Sequence, residues 1–499
     1  SRKLKKGSPA MSTRLKVATA SFWALAGSAF ANIASFAVFA VLARILGPSD
    51  FGIVAFASVF IEVSRSIALA GIPLALVKEP EWNDEIASTA FWGNFGVGTV
   101  LTVIVASASP LFIDSHYGSD ITLVMIALSL SLLIDVVRAT HEAKLQREFS
   151  YKSLAKRTAF ATTGAGFVAV ILALTGFGIW ALVLNRLASS IIQTFIVWNA
   201  ARWSPKRRFV RAEFSRMFAF GVHLSASAVL GQINRRVPDL IAGFFIGTVS
   251  VGYYRVGSRI VAILMDITIR PMQSVSLAGF SRVSDQGGKI NAFLRITKIT
   301  GLVAFPLYLG ISVLADDLVV LLFGNKWQSS GWILSALAFF GVAAVFTYFV
   351  EPLLASLGEA RIISLRSLFN LLSNSIVCLL CAPYGIVAIA VGFAVNAYLG
   401  LIATLILLNG YAGLRPLVFI RGLAPPLISS LMMYSTVFLL RDHLLHIDTF
   451  LRLAILSSCG LFVYLVAMLI LFRNFTATVR KDLDPVVKAA ISRTSGAVG

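Results

Sequence analysis

Two neighbouring apolar stretches carry five arginines and two aspartates: Arg235, Arg236 and Asp239 in the first, and Arg255, Arg259, Asp266 and Arg270 in the second. A charged side chain at the centre of a bilayer costs ~2.5–3.5 kcal/mol on insertion scales, so it faces a cavity or a partner. Two carboxylates within the group cannot neutralise five guanidiniums. A surplus of this kind calls for an anionic ligand, and the planar fork of arginine suits phosphate. A diphosphate head group on a lipid tail fits such a cationic site open sideways to lipid, whereas an organic cation would need acidic or aromatic lining.

At ~100° per residue, Arg255, Arg259, Asp266 and Arg270 fall within an arc of roughly 60°, a single stripe along one helix face. The stripe is expected to run from near the outer surface at Arg255 to the cytoplasmic interface at Arg270. Further charges stand in other apolar stretches: Glu62 with Arg65, Asp135 with Arg138, and Arg186. The spacing allows Glu62 with Arg65, and Asp135 with Arg138, to be internal i,i+3 ion pairs serving the fold alone. It equally allows Glu62, Asp239 and Asp266 to set the charge of a site, or carry coupling, while Arg65 and Arg186 join the arginines that bind substrate. Pro238, beside Asn234 and Asp239, is expected to kink its helix.

Other chemistry finds little support. Of the five histidines, His116, His141, His223, His443 and His446, only the last two approach a metal-ligand spacing, and they read as an exposed outer turn. Cys378, Cys381 and Cys459 lie in apolar runs and read as inert packing residues. Asp316–Asp317 resembles the acidic motif of metal-dependent glycosyl transfer, but it sits at an outer helix end. No G-x-x-x-x-G-K-[ST] loop is present, so ATP is not the direct energy source. Catalytic residues, metal and cofactor are all expected to be absent, and the chain is not read as an enzyme.

The elements that must position these charges are membrane spans. Hydrophobic residues make up 58% of the chain and charged residues 13%, against about 25% charged in soluble domains. Apolar runs of ~20 residues recur from end to end, each long enough to span a hydrocarbon core. The fold expected is all-α integral membrane, with about fourteen spans. The first run stays in the mature protein, and Met11 reads as a plausible initiator, so residues 1–10 carry no structural weight. The net charge of +20 is a topology signal rather than a nucleic-acid footprint. Roughly 32 of the lysines and arginines fall on the side of both termini and about 4 on the other, which makes that side cytoplasmic by the positive-inside rule.

Outer turns are short, as in Thr175–Gly178 and Ile246–Ser250, so adjacent spans form antiparallel hairpins. The sequence LARILGPSDFGIVAF (Leu42 to Phe56) returns about 200 residues later as GFFIGTVSVGYYRVG (Gly243 to Gly257), aligning Gly47 and Gly52 with Gly247 and Gly252. GIWALV (Gly178 to Val183) returns as GIVAIAV (Gly385 to Val391) at nearly the same offset. A repeat of about six spans keeps its orientation, which is the plan of parallel-repeat transporters. The expected organisation is a cytoplasmic tail (1–16), an N-lobe of six spans (17–200), a basic cytoplasmic linker (201–216), a C-lobe of six spans (217–410), two further spans (411–473) and a cytoplasmic tail (474–499). The two six-helix bundles are expected to relate by a pseudo-two-fold axis along the membrane normal.

The segments LARILGPSDFG (Leu42 to Gly52), HEAKLQREFSYKSLA (His141 to Ala155), GFGIWALV (Gly176 to Val183), GYYRVGSRI (Gly252 to Ile260) and ADDLVVLLFGNKW (Ala315 to Trp327) together resemble the Wzx-type polysaccharide flippases. These belong to the multidrug/oligosaccharidyl-lipid/polysaccharide exporter superfamily, and the resemblance is to its colanic-acid, teichuronic-acid and succinoglycan exporter-like subgroup. It implies a two-lobed, multi-pass protein of the bacterial cytoplasmic membrane that flips undecaprenyl-diphosphate-linked oligosaccharide to the periplasmic leaflet by alternating access. Its cavity would be cationic, a role the arginines above would take. The implied partners are that lipid-linked substrate, membrane lipids, and a polysaccharide polymerase with its export machinery, with no nucleic acid. Coupling to protons or sodium is implied, without an ion being identified. A multidrug antiporter or lipid II flippase of the same superfamily is the alternative. A membrane-embedded glycan polymerase or ligase, or a scaffold, fits the buried charges less well.

Overall fold

The computed structural model describes residues 9–69, 71–79, 82–112, 117 and 120–477. His116, most of the two terminal tails and the side chain of His223 lie outside what is described. Among the described residues, regular structure is entirely helical. Twelve segments are long and apolar enough to cross a membrane, and a bent helix pair makes a thirteenth when taken as one span. The chain is therefore a multi-pass membrane protein.

It divides into two compact units, Ser1–Arg255 and Val256–Gly499. The first holds α1 (Pro9–Ile45), α2 (Pro48–Ala68), α3 (Ile72–Lys78), α4 (Asp84–Ala108), α5 (Ile121–Arg147), α6 (Tyr151–Leu174), α7 (Ile179–Ala201), α8 (Arg211–Phe245) and the start of α9 (Thr248–Thr268). Helices α1, α6, α7 and α5 pack in succession, and α2 lies against α4, α5, α7 and α8. Helix α8 packs on α2, α3 and α4 and so belongs to the first compact unit. Helix α8, over the expected seventh span, is a 35-residue helix that is not among the twelve apolar ones; it carries Arg235, Arg236 and Asp239.

The linker itself is strapped down. Trp203 Nε1 and Trp82 Nε1 both donate to Asp84 Oδ1, at 3.0 and 3.1 Å, and Lys206 Nζ lies 3.1 Å from Asp84 Oδ2. The Lys206 amide donates to Ser88 Oγ and the Val210 amide to Thr89 Oγ1. At the start of α4, Asn83 accepts from the Glu85 and Ile86 amides, and Asp84 and Glu85 meet the positive end of the helix dipole.

The duplicated glycines meet at the starts of α2 and α9. A Cβ at Gly52 would lie 1.9 Å from the Thr248 carbonyl oxygen, and one at Gly252 would lie 2.1 Å from that of Pro48. Each residue of the contact has its counterpart 200 positions away, a reciprocity expected of a duplicated turn. No side chain fits, so the two backbones touch.

The second unit continues α9 and adds α10 (Arg270–Ser281), α11 (Gln286–Val313), α12 (Ala315–Phe323), α13 (Ser329–Thr347), α14 (Val350–Ser356), α15 (Ala360–Cys381), α16 (Ile386–Ala412), α17 (Pro416–Arg441) and α18 (Thr449–Ile470). Helices α11, α13 and α16 form its packed centre, and α17 and α18 dock on α11. Tyr464 of α18 donates to the Leu302 carbonyl at 2.7 Å, and Arg452 forms a two-point ion pair with Asp317. Arg441 lies 3.9 Å from Asp316. The Asp316–Asp317 pair thus fastens the last two helices.

Candidate functional site

In the first unit the charges expected from sequence converge, some of them with different partners from those the spacing suggests. Asp135 of α5 has 2% of its side chain exposed and is shared by three arginines. Arg65 Nη1 of α2 and Arg186 Nη2 of α7 reach its Oδ2 at 3.2 and 2.9 Å, and Arg138 Nη2 reaches Oδ1 at 3.1 Å. Arg138 also approaches Glu142 at 3.4 Å, and Arg157 of α6 lies 2.6 Å from the other Glu142 oxygen. Four guanidiniums therefore face two carboxylates, leaving two positive charges in excess.

A second group adjoins it on α2, α8 and the start of α9. Arg236 forms ion pairs with Glu62 and, at 3.1 Å, with Asp239. Arg255 approaches the same two carboxylates at 3.7 and 3.6 Å. Gln232 Nε2 lies 3.5 Å from Glu62, and Arg235, exposed on α8, donates to Gln232. The groups are linked through Glu62, which interacts electrostatically with Arg65 and Arg186 as well as with Arg236 and Arg255.

Three expectations need correction. Glu62 and Arg65 do not form the i,i+3 pair: Arg65 turns to Asp135 and Glu62 to Arg236, because each thereby meets a charge on another helix. The surplus of arginine on α8, α9 and α10 is smaller than counting implied, since Glu62 of α2 joins Asp239 in balancing Arg236 and Arg255. A further excess lies around Asp135. Finally, the stripe of Arg255, Arg259, Asp266 and Arg270 does not follow one helix. Helix α9 ends at Thr268, α10 begins at Arg270, and the two are bent by 41°. Pro271, which has no amide hydrogen to donate, stands in the first turn of α10, and Arg270 pairs back across the break with Asp266. The Asp135–Arg138 pair does form.

The second unit holds Arg259, partly buried, and the Asp266–Arg270 pair. Two residues there were not singled out from sequence. Arg366 of α15 donates to the Thr347 carbonyl at 3.2 Å, where α13 gives way to α14, and Glu351 lies within its electrostatic reach. Gln273 donates to the next carbonyl, Tyr348, at 3.2 Å. Both charged residues fall in apolar stretches, so the signal that drew attention to Glu62 was present for them too. In the first unit Glu142 and Arg157 were likewise passed over, since they stand near helix ends where charge is ordinary.

Among the described residues no group of three or more His, Cys, Asp or Glu side chains could hold a metal ion. What the site can do is bind an anion. Arg65 and Arg186 each give one hydrogen bond, both to the same buried oxygen, and about a third of each side chain is exposed. A guanidinium has five N–H donors, so each keeps most of its fork for a phosphate oxygen.

Comparison with known proteins places the chain in a family. Residues 41–331 match the family described as "Polysaccharide biosynthesis protein". The succinoglycan biosynthesis transport protein ExoT of Rhizobium meliloti (strain 1021) is 24% identical over 461 residues, covering 89% of this chain and 90% of that protein. The lipopolysaccharide biosynthesis protein WzxC of Escherichia coli (strain K12) is 24% identical over 327 residues, 64% of this chain and 65% of its own length. Among solved structures, the lipid II flippase MurJ in an inward closed conformation superposes with a TM-score of 0.74 at 17% identity, covering 91% of this chain and 99% of that one. An inward-facing multidrug resistance MATE family transporter of the MOP superfamily gives 0.55 at 16% identity, over 79% and 96%. These two share the fold.

Proposed function

The chain belongs to the polysaccharide biosynthesis protein family, and from that premise we propose that it flips an undecaprenyl-diphosphate-linked oligosaccharide from the cytoplasmic to the periplasmic leaflet by alternating access. The observation that carries this is the pair Arg65 and Arg186, held by the sealed carboxylate of Asp135 with most of their donors unspent. Together with Arg236 and Arg255 they would grip the diphosphate, while the lipid tail stays in the bilayer. Asp135 positions rather than binds. Arg235, balanced in part by Asp239 in the first unit, and Arg259 and Arg270, balanced in part by Asp266 in the second, would each add positive field for the substrate within their own unit. The lobes would be 17–200 and 217–410, and the setting a bacterial cytoplasmic membrane with both termini inside. The chain would hand its product to a polymerase and its export machinery.

A multidrug antiporter shares the fold, but a cationic drug would be repelled by four guanidiniums around Glu62. Cells lacking the protein are expected to accumulate a lipid-linked saccharide on the cytoplasmic leaflet and to lose polymer. Complementation by a chain carrying Arg65→Ala and Arg186→Ala should fail, with normal amounts of protein in the membrane. Restored polymer from that variant would remove the reading.

A further inference from the structure

Glu62 differs from Asp135 and Asp239, the two carboxylates that share with it the pairing of Arg65, Arg186, Arg236 and Arg255. Asp135 and Asp239 each have 2% of the side chain exposed, on a short stem. Glu62 has a longer stem, and 18% of its side chain is exposed. Its oxygens meet Arg236 of α8 and, at 3.7 Å, Arg255 of α9, and Gln232 adds a contact at 3.5 Å. Arg65 of α2 and Arg186 of α7 act on the same carboxylate from further off. Guanidiniums from four helices therefore surround one acidic side chain on a longer, partly exposed stem.

A point ringed by arginines is where a substrate phosphate gains most. It is also where vacancy is least tolerable, since cations taken out of water need an anion beside them. We infer that Glu62 is the resting occupant of the phosphate site, its carboxylate holding the place of one substrate phosphate until the substrate displaces it. This rests on the flippase reading above. Asp239, sealed and in contact with both Arg236 and Arg255, keeps those two arginines in position when Glu62 leaves. After translocation Glu62 returns and competes the phosphate away, so each half of the cycle exchanges one anion for another. The device recognises the phosphoryl group, not the glycan, and would serve any sugar on the same carrier.

The test measures binding of undecaprenyl diphosphate to the full chain in nanodiscs, with undecaprenol as the phosphate-free control. If Glu62 fills the site for about nine-tenths of the time, apparent affinity is lowered about tenfold. Glu62→Gln is then expected to bind undecaprenyl diphosphate about tenfold more tightly than the unsubstituted chain, with undecaprenol unchanged. Its maximal flipping rate in vesicles should fall, because release has lost its competitor. Glu62→Asp, with the charge drawn back by one carbon, should fall between the two. Folded Glu62→Gln that binds no more tightly overturns the inference, and if that variant does not fold, Glu62→Asp binding no more tightly does so. The parent reading is separable: Arg65→Ala with Arg186→Ala must weaken binding whatever Glu62 does, and unchanged binding there would overturn the site itself.

Discussion

Asp135 and its arginines make opposite demands on the protein, and substitution separates them. Removing the carboxylate leaves Arg65, Arg138 and Arg186 without their shared partner, and breaking a buried ion pair from one side costs about 3–5 kcal/mol. Asp135→Ala is therefore expected to lower the thermal midpoint of the purified protein markedly. Arg65→Ala should scarcely move it, because Arg138 and Arg186 still neutralise Asp135, yet polymer export should fall steeply. Arg186→Lys should also lose export, since an ammonium cannot present two parallel donors to a phosphate. The residue types of this site were legible in the sequence: Glu62, Arg65, Asp135, Arg186, Arg236, Asp239 and Arg255 all stand out as charges in apolar runs. Their pairing was legible only in part: i,i+3 spacing reports neighbours on one helix, such as Asp135 with Arg138 and Arg236 with Asp239, and not the contacts that Glu62, Arg65, Arg186 and Arg255 make with other helices.

At the level of elements, the starts of α2 and α9 have no room for a side chain where they touch. Gly252→Ala would place a methyl group 2.1 Å from the Pro48 carbonyl oxygen, and forced overpacking of this kind costs about 1–3 kcal/mol. A lower thermal midpoint, with Gly52→Ala behaving alike, is the expected result, and two unaffected variants would show that the contact relaxes freely. The repeat at an offset of 200 residues could be read from Gly47, Gly52, Gly247 and Gly252, but their direct backbone contact could not, since Gly at a turn is also an ordinary choice. The break between α9 and α10 was announced by Pro271 and obscured by the regular stripe of charges that runs across it. The basic linker reads as a solvated loop from its lysines and arginines, whereas Trp203 and Lys206 fasten it to Asp84. Trp203→Ala should make the segment after α7 more accessible to protease.

For the whole molecule, alternating apolar runs and a one-sided excess of lysine and arginine were enough to establish a multi-pass helical protein, and the match over residues 41–331 establishes its family. The exact number of spans was harder, because α8 trades apolar residues for the charges that the site requires. The most direct measurement of the central claim is leaflet movement of undecaprenyl-diphosphate-linked oligosaccharide in vesicles containing only the purified chain, followed by accessibility of the glycan to an enzyme added outside. Vesicles with the unsubstituted protein should expose the glycan, and those with Arg65→Ala and Arg186→Ala should not. Equal exposure by both proteins, or none by the unsubstituted chain in a folded state, would contradict the account.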